Sequence, residues 1–316
     1  MINHAALGTR CAHGRGLKRC YAVGSTAHSM LRDFFRRWYR TVLPLLYGRA
    51  QFKLFLNTVL GAVDLRMLAL ASQTDYFSGF VRAIPIRAPF GKSMLVLAPH
   101  QDDETIGCGG ALALQVASGH AAAVVILQDG AHEWEETGMS REALVELRNE
   151  ESRRAAAVIH LDPLIFLNHA DLARSLPAAT ESVRRILIER KVDAVFVPFV
   201  LDGHPDHRLA NYILAGALAD IPRAVRVFGY EVWGLAIPNV IAVIDDVMEQ
   251  KLAMLSCFHF ANQALDYVHA TQGLNMYHSR MLGAGECRYA ERFFEAPREE
   301  YIELVNRVRA AEYNGR

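Results

Sequence analysis

Ser93-Met-Leu-Val-Leu-Ala98-Pro-His-Gln-Asp-Asp-Glu-Thr-Ile-Gly-Cys-Gly-Gly110 is the stretch on which the fold turns. Met94–Ala98 is a short apolar run of strand length. Pro99 stops it, and a helical apolar pattern starts at Thr105 and runs to Ser118. The same alternation continues outward. Strands are expected at 122–127, 164–167, 194–197, 225–230 and 240–244. Helices are expected at 141–159, 180–191 and 207–218, followed by a helical C-terminal third. Near-continuous apolar strands separated by helices of ten or more residues require a sheet buried on both faces. The expected fold is α/β, a Rossmann-like three-layer sandwich with a mostly parallel sheet. In such sheets ligands bind beyond the carboxyl ends of the strands.

Before residue 90 the pattern is different. Residues 1–27 read as irregular, and 28–47 and 50–73 as two helices. The segment 83–89, with Pro85 and Pro89, reads as a linker. The expected organisation is a basic helical N-terminal extension over 1–90 and a catalytic domain over 91–316. Net charge is zero, yet residues 1–63 hold ten Lys/Arg against the single acid Asp33, so the rest of the chain carries nine excess negative charges. A basic arm over 10–53 suits a solvated extension packed beside the main domain. It also suits peripheral contact with an anionic membrane surface. Its composition is equally that of a transit peptide. No recognisable nucleic-acid module accompanies it, so no nucleic-acid partner is expected. Residues 1–30 lack the continuous apolar core of a secretory signal. The apolar stretch Leu43–Leu70 is broken by Arg49, Lys53, Asp64 and Arg66, which argues against a spanning helix. The five cysteines, Cys11, Cys20, Cys108, Cys257 and Cys287, form no CxxC pair. That argues against a disulfide framework or a thiolate metal site and fits a cytoplasmic setting.

Two polar motifs carry the chemistry. Each follows an expected strand. In the first, His100, Asp102 and Asp103 sit at the end of a buried strand, where unpaired polar groups cost several kcal/mol and so need a partner. In the second, Asp202-Gly-His-Pro-Asp-His207, His204 and His207 flank a Pro-Asp turn. An Asp-Asp pair alone is most often a helix N-cap, and a His-Pro-Asp-His stretch alone is often a polar turn. Together, at matching places in a strand–helix alternation, they suit a zinc ion with two imidazoles, a carboxylate and an open position for water. Neighbouring aspartates point in different directions, so one can ligate while the other acts as general base. Gly107-Cys-Gly-Gly110 lacks the Lys-Ser/Thr ending of a phosphate-binding loop and is read as helix packing.

These motifs resemble the signatures of the LmbE-like, or PIG-L, family of zinc-dependent de-N-acetylases over roughly residues 93–295. The first family signature, His-Pro-Asp-Asp-Glu, is met as His100-Gln-Asp-Asp-Glu104, and the second, His-Pro-Asp-His, by His204–His207 without change. The resemblance implies that His100, Asp103 and His207 ligate one zinc ion and that Asp102 is the general base. It implies that His204 stabilises the oxyanion or protonates the leaving amine, with Asp206 orienting its ring. Arg148 matches a family arginine that grips substrate, although an i,i+3 pair with Glu151 explains the residue as well. Gln101 in place of Pro predicts a looser loop with an added polar contact near substrate. Ile159-His160 replaces a family Leu-Gly, and Lys251…His259…Gln263 follows the family pattern only loosely. Tyr289-Ala-Glu-Arg-Phe293 resembles its Ala-Glu-x-Phe element. The implied activity is removal of an N-acetyl group from an amino sugar of the GlcNAc type. The competing expectation is a metal-bearing sugar-binding or scaffold protein that does not hydrolyse.

Overall fold

The computed structural model describes residues 83–314, apart from 133, 235, 284 and 286. The helices expected at 28–47 and 50–73, and the basic arm 10–53, lie outside the described residues. The chain divides into a unit over Met1–Val81 and a second over Arg82–Arg316; only the second is described here. Its strands are β1 (Ile84–Ile86), β2 (Ser93–Ala98), β3 (Ala121–Gln128), β4 (Leu164–His169), β5 (Ala194–Pro198), β6 (Arg226–Tyr230), β7 (Val240–Val243) and β8 (Ala290–Pro297). The helices are α1 (Asp103–Ala117), α2 (Trp134–Thr137), α3 (Arg141–Val158), α4 (Leu176–Glu189), α5 (Pro205–Leu218), α6 (Met248–Leu255), α7 (His259–Ala264), α8 (Tyr267–Ser279) and α9 (Arg298–Asn314). Among the described residues no helix is long and apolar enough to cross a membrane.

The sheet order is β1-β7-β8-β6-β5-β2-β3-β4. All neighbours are parallel except β8, which runs antiparallel to both β6 and β7. Side-chain alternation along a strand explains why both faces are covered. In β2, Met94, Val96 and Ala98 enter one core with α1, α3 and α6. Leu95 and Leu97 enter the other with α4, α5 and α9. The expected α/β sandwich is therefore present, with two corrections. The stretch 83–89, read as a linker, contains β1, an edge strand paired in parallel with β7. The C-terminal third, read as helical, contains β8, which sits inside the sheet.

Chain order places the site. From β2 the path steps to β3 and β4 on one side, then returns so that β5 pairs with the other side of β2. The carboxyl ends of β2 and β5 thus flank the point where strand order reverses, the usual ligand crevice of such a sheet. Both polar motifs leave from these two ends.

α1 is broken at Cys108, whose φ of −145° and ψ of 22° are not helical. An intact helix would bond the Gly110 N–H to the Ile106 carbonyl. Instead, the Gly110 and Ala111 amides donate to the Glu291 carboxylate at 2.8 and 2.7 Å, and Lys251 Nζ donates to Ile106 O at 2.9 Å. Lys251 and Glu291 pair with each other at 2.6 Å, and both are buried. One ion pair therefore satisfies both sides of the break. The glycines make room for it: a Cβ on Gly107 would lie 2.1 Å from the Tyr230 ring, and one on Gly110 would lie 2.7 Å from Ile244. The Gly107–Gly110 run is helix packing, as its sequence suggests. Glu291→Ala would leave the Lys251 ammonium buried without its counter-charge and two amides without an acceptor. The expected loss is about 3–5 kcal/mol of unfolding free energy in urea titrations; a loss under about 1 kcal/mol would show that the break does not depend on the pair.

Candidate active site

Pro99 ends β2, and its carbonyl accepts the Gln128 N–H at 3.0 Å, tying the first motif to β3. Asp102 occupies the N-cap position of α1, but its side chain makes no capping bond. Its φ of 110° lies in the left-handed region, which costs a non-glycine residue on the order of 1–3 kcal/mol and is typical of functional sites. Two contacts hold it there. Glu104 Oε2 accepts the Asp102 N–H at 3.2 Å, and Arg148 donates to the preceding carbonyl, Gln101 O, at 2.8 Å. In the second motif, Pro205 opens α5 and His204 caps it, Nδ1 accepting the Asp206 N–H at 3.2 Å.

The two motifs meet at one oxygen. Asp103 Oδ2 accepts the His100 backbone N–H at 2.9 Å and lies 3.0 Å from His100 Nδ1 and 3.3 Å from His207 Nε2. His207 is fully buried, and neither of its ring nitrogens completes a well-aligned hydrogen bond. A buried imidazole with no completed hydrogen bond beside a buried carboxylate is donor chemistry that suits a metal ligand. Two ligand sets are geometrically available. Ring nitrogens of His100, His204 and His207 come within 4.8 Å of one another. The set with Asp103 in place of His204 is tighter and carries a negative charge. For bonds of about 2.0–2.1 Å, ligand atoms at the corners of a tetrahedron are separated by about 3.3 Å. The Asp103 distances match that spacing, while His204 Nδ1 is already engaged by its own helix. The residues present therefore fit a divalent ion.

Electrostatics point the same way. Burial alone would lower the His100 and His207 imidazoles, but the Asp103 carboxylate overcomes it and lifts them to about 9 and about 10. Burial would raise Asp103, yet His207 and His100 hold it far below the ordinary carboxylate range. Asp102 behaves oppositely. Burial pushes it up to about 8 against the Arg148 guanidinium, whose Nη2 is 3.8 Å from Asp102 Oδ2, and the charges of Asp103 and Glu104 add to the rise. His204 is lowered by burial and by the neighbouring imidazoles.

A cavity of about 310 Å³ opens over these groups, lined by His100, Asp102, Asp103, Arg148 and His204 and walled by Trp233, Phe260 and Tyr267. Arg148 is buried on α3 with its guanidinium 5.1 Å from the Phe260 ring centre. Glu151, its alternative partner on the helix, instead accepts the Phe260 N–H at 2.9 Å. Gln101 differs from expectation. It is fully buried and donates to Asn149 Oδ1 at 3.1 Å and towards Gln128 O at 3.4 Å, so it braces the loop rather than loosening it. Asp206 reaches His204 mainly through its backbone amide. Its carboxylate lies nearer His100 Nε2, at 3.3 Å, than His204 Nδ1, at 3.8 Å.

Sequence reasoning assigned no role to Asp202, which is buried. Its Oδ1 lies 3.2 Å from His207 Nδ1, and its Oδ2 accepts the Trp233 and Gly234 N–H groups at 3.0 and 3.1 Å. A carboxylate behind a ligating histidine fixes ring orientation and tautomer. Its place at the head of the second motif was the available signal. His132 also lines the cavity. Of the C-terminal Lys251…His259…Gln263 pattern, Lys251 serves α1, and the cavity wall comes from the neighbouring Phe260, Ala261, Ala264 and Tyr267.

Residues 95–218 match the protein family described as GlcNAc-PI de-N-acetylase (PIG-L). A diacetylchitobiose deacetylase of Thermococcus kodakarensis is 29% identical over 205 residues, covering 58% of this chain and 73% of that protein. The N,N'-diacetylchitobiose deacetylase of Pyrococcus horikoshii superposes with a TM-score of 0.58 at 22% identity, covering 76% of this chain and 96% of that one. GalB, the 4-carboxy-2-hydroxymuconate hydratase of Pseudomonas putida KT2440, superposes with a TM-score of 0.53 at 22% identity, covering 65% and 96%. These two superpositions show the fold alone; one fold carries different reactions.

The Asp103 carboxylate raises the pKa of both His100 and His207, so a divalent ion held by these rings would compete with protons. Zinc affinity, measured by calorimetry in buffers from pH 6 to 8, should rise with pH by up to about a hundredfold per unit as two protons are released. A flat profile would show that neither imidazole is protonated before loading.

Proposed function

We propose that the chain, whose residues 95–218 match the family described as GlcNAc-PI de-N-acetylase (PIG-L), is a zinc-dependent hydrolase removing the N-acetyl group from an amino sugar of the GlcNAc type. The observation that carries this reading is the shared Asp103 oxygen between His100 and His207, with Asp102, raised and strained, beside it. Deacetylases of N-acetylated sugars among its relatives support the substrate class.

Zinc held by His100, Asp103 and His207 would polarise the acetamide carbonyl and bring the pKa of water to near 7. Asp102 takes the proton of the attacking water. Burial raises its carboxyl above the ordinary carboxylate range, which makes it a stronger proton acceptor than a solvated aspartate and lets it return the proton. His204 has a narrower task. Because its Nδ1 accepts the Asp206 N–H, the neutral ring carries its proton on Nε2, and the lowered pKa keeps the ring neutral. It can therefore donate a hydrogen bond to the developing oxyanion, but proton loss from Nε2 would leave an imidazolate. Delivery of a proton to the leaving amine falls to Asp102. Asp206 orients His204 through the backbone and His100 through the carboxylate. Arg148, beside Asp102 and exposed to the cavity, is placed to hold substrate hydroxyls.

Asp102→Asn should retain zinc and lose about 10²–10⁴-fold in acetate release from N-acetylated sugars. His207→Ala, as the companion variant, should lose zinc in metal analysis. Near-full turnover by Asp102→Asn would remove Asp102 as base. Tight sugar binding without acetate release by the zinc-loaded wild type would favour the non-hydrolytic alternative.

A further inference from the structure

The cavity is small for a ligand pocket, about 310 Å³ where ligand pockets span roughly 300–1,000 Å³. A sugar ring seated there with its acetamido arm over His100 and Asp102 would leave whatever is attached to it along the rim. The rim beside His204 is formed by Trp233. Its side chain is 60% exposed, an unusual state for the largest apolar side chain on a firmly held loop. The loop is not loose. The Trp233 and Gly234 amides are fixed on Asp202 Oδ2, and the Ala236 amide on Glu231 Oε1 at 2.6 Å. Glu231 is in turn buried against Arg292 and His278. The indole lies at 26° to the His204 imidazole with ring centres 6.4 Å apart. A flat apolar face thus continues outward from the residue that meets the oxyanion. Beside it, Gly203 leaves open space. Asp202 adds a second constraint, since the carboxylate that fixes the Trp233 backbone also faces His207. The distance from the reacting centre to the indole is therefore set by one buried side chain.

We propose that Trp233 is a stacking platform for a second sugar ring, so that the substrate is an N-acetylated oligosaccharide rather than a free monosaccharide. A pyranose ring presents one face of C–H groups and a polar edge. It can lay the C–H face on the indole while its hydroxyls stay in water, which suits a half-exposed aromatic better than a fully apolar group would. This inference rests on the deacetylase reading and extends it to the unit next to the acetylated ring. Leu201 and Ile237, also exposed on neighbouring loops, define the competing occupant, an apolar aglycone.

The test compares kcat/KM for acetate release from N-acetylglucosamine, N,N'-diacetylchitobiose and octyl N-acetylglucosaminide, using zinc-loaded wild type and Trp233→Ala. The disaccharide should lead the monosaccharide by about three- to tenfold in the wild type, and that ratio should fall towards one in the variant. Trp233→Phe should keep part of it. Equal losses on both sugars, or a Trp233-dependent advantage for the octyl glycoside alone, would overturn the proposal. Calorimetry with Asp102→Asn gives a second readout: the same preference for the disaccharide should appear in binding and vanish when Trp233→Ala is added. Acetate release without that preference sinks only the platform. No release from any of the three strikes the deacetylase reading, and the binding measurement then decides the platform on its own.

Discussion

One buried anion holds the site together. Asp103 is 2% exposed, and its Oδ2 is approached by His100 from the same loop and by His207 from a loop about a hundred residues away. Removing a carboxylate from water costs several kcal/mol unless opposite charge is brought to it. The two imidazoles, whose affinity for protons the carboxylate raises, are positioned to supply that charge, and a divalent ion would bring it in more concentrated form. A metal bound here would couple its binding to folding, because the sheet crossover that sets β5 against β2 is also what carries the second imidazole to Asp103.

The break in α1 uses the same principle. Glu291 is another buried carboxylate, and it is neutralised by Lys251 and by two helix amides that the break sets free. The first turn of α1 carries Asp103, and the ion pair fixes the angle at which that turn leaves the rest of the helix. Two charged groups far from the cavity thus hold the Asp103 turn in position. Replacement of either alone is more disruptive than its distance from the cavity suggests, since the survivor stays buried without a partner.

What was legible in the sequence follows from this. The parallel core strands are apolar on both faces, so β2 through β7 announced themselves as short runs between helices. The metal motifs stood out because two histidine–aspartate clusters followed two of those runs. β8 stayed hidden because Glu291, Arg292 and Glu295 interrupt it. A strand with such residues is tolerated inside the sheet only because Lys251, Glu231 and Arg226 meet them, and those partners lie 40 to 69 positions away. β1, three residues long and containing a proline, is an edge strand and offered too little pattern. Gln101 was misread for a similar reason: its amide is held by groups 27 and 48 positions away, a contact that no local pattern encodes.

The matched family segment also divides the labour of the site. His100, Asp102, Asp103, Arg148, His204, Asp206 and His207 all fall within residues 95–218, whereas Trp233, Phe260 and Tyr267 lie beyond it. The groups proposed for the chemistry come from the ends of β2 and β5 and from α3, where strand pairing and buried charge hold the backbone. The aromatic wall of the cavity comes from the loop after β6 and from α7 and α8. A loop on the surface of a sheet can change its side chains without disturbing the core that carries the ligands. A fold shared by deacetylases and a hydratase is the expected outcome of that separation. Asp202 is where the two halves are joined, because one of its oxygens faces His207 and the other holds the backbone of Trp233.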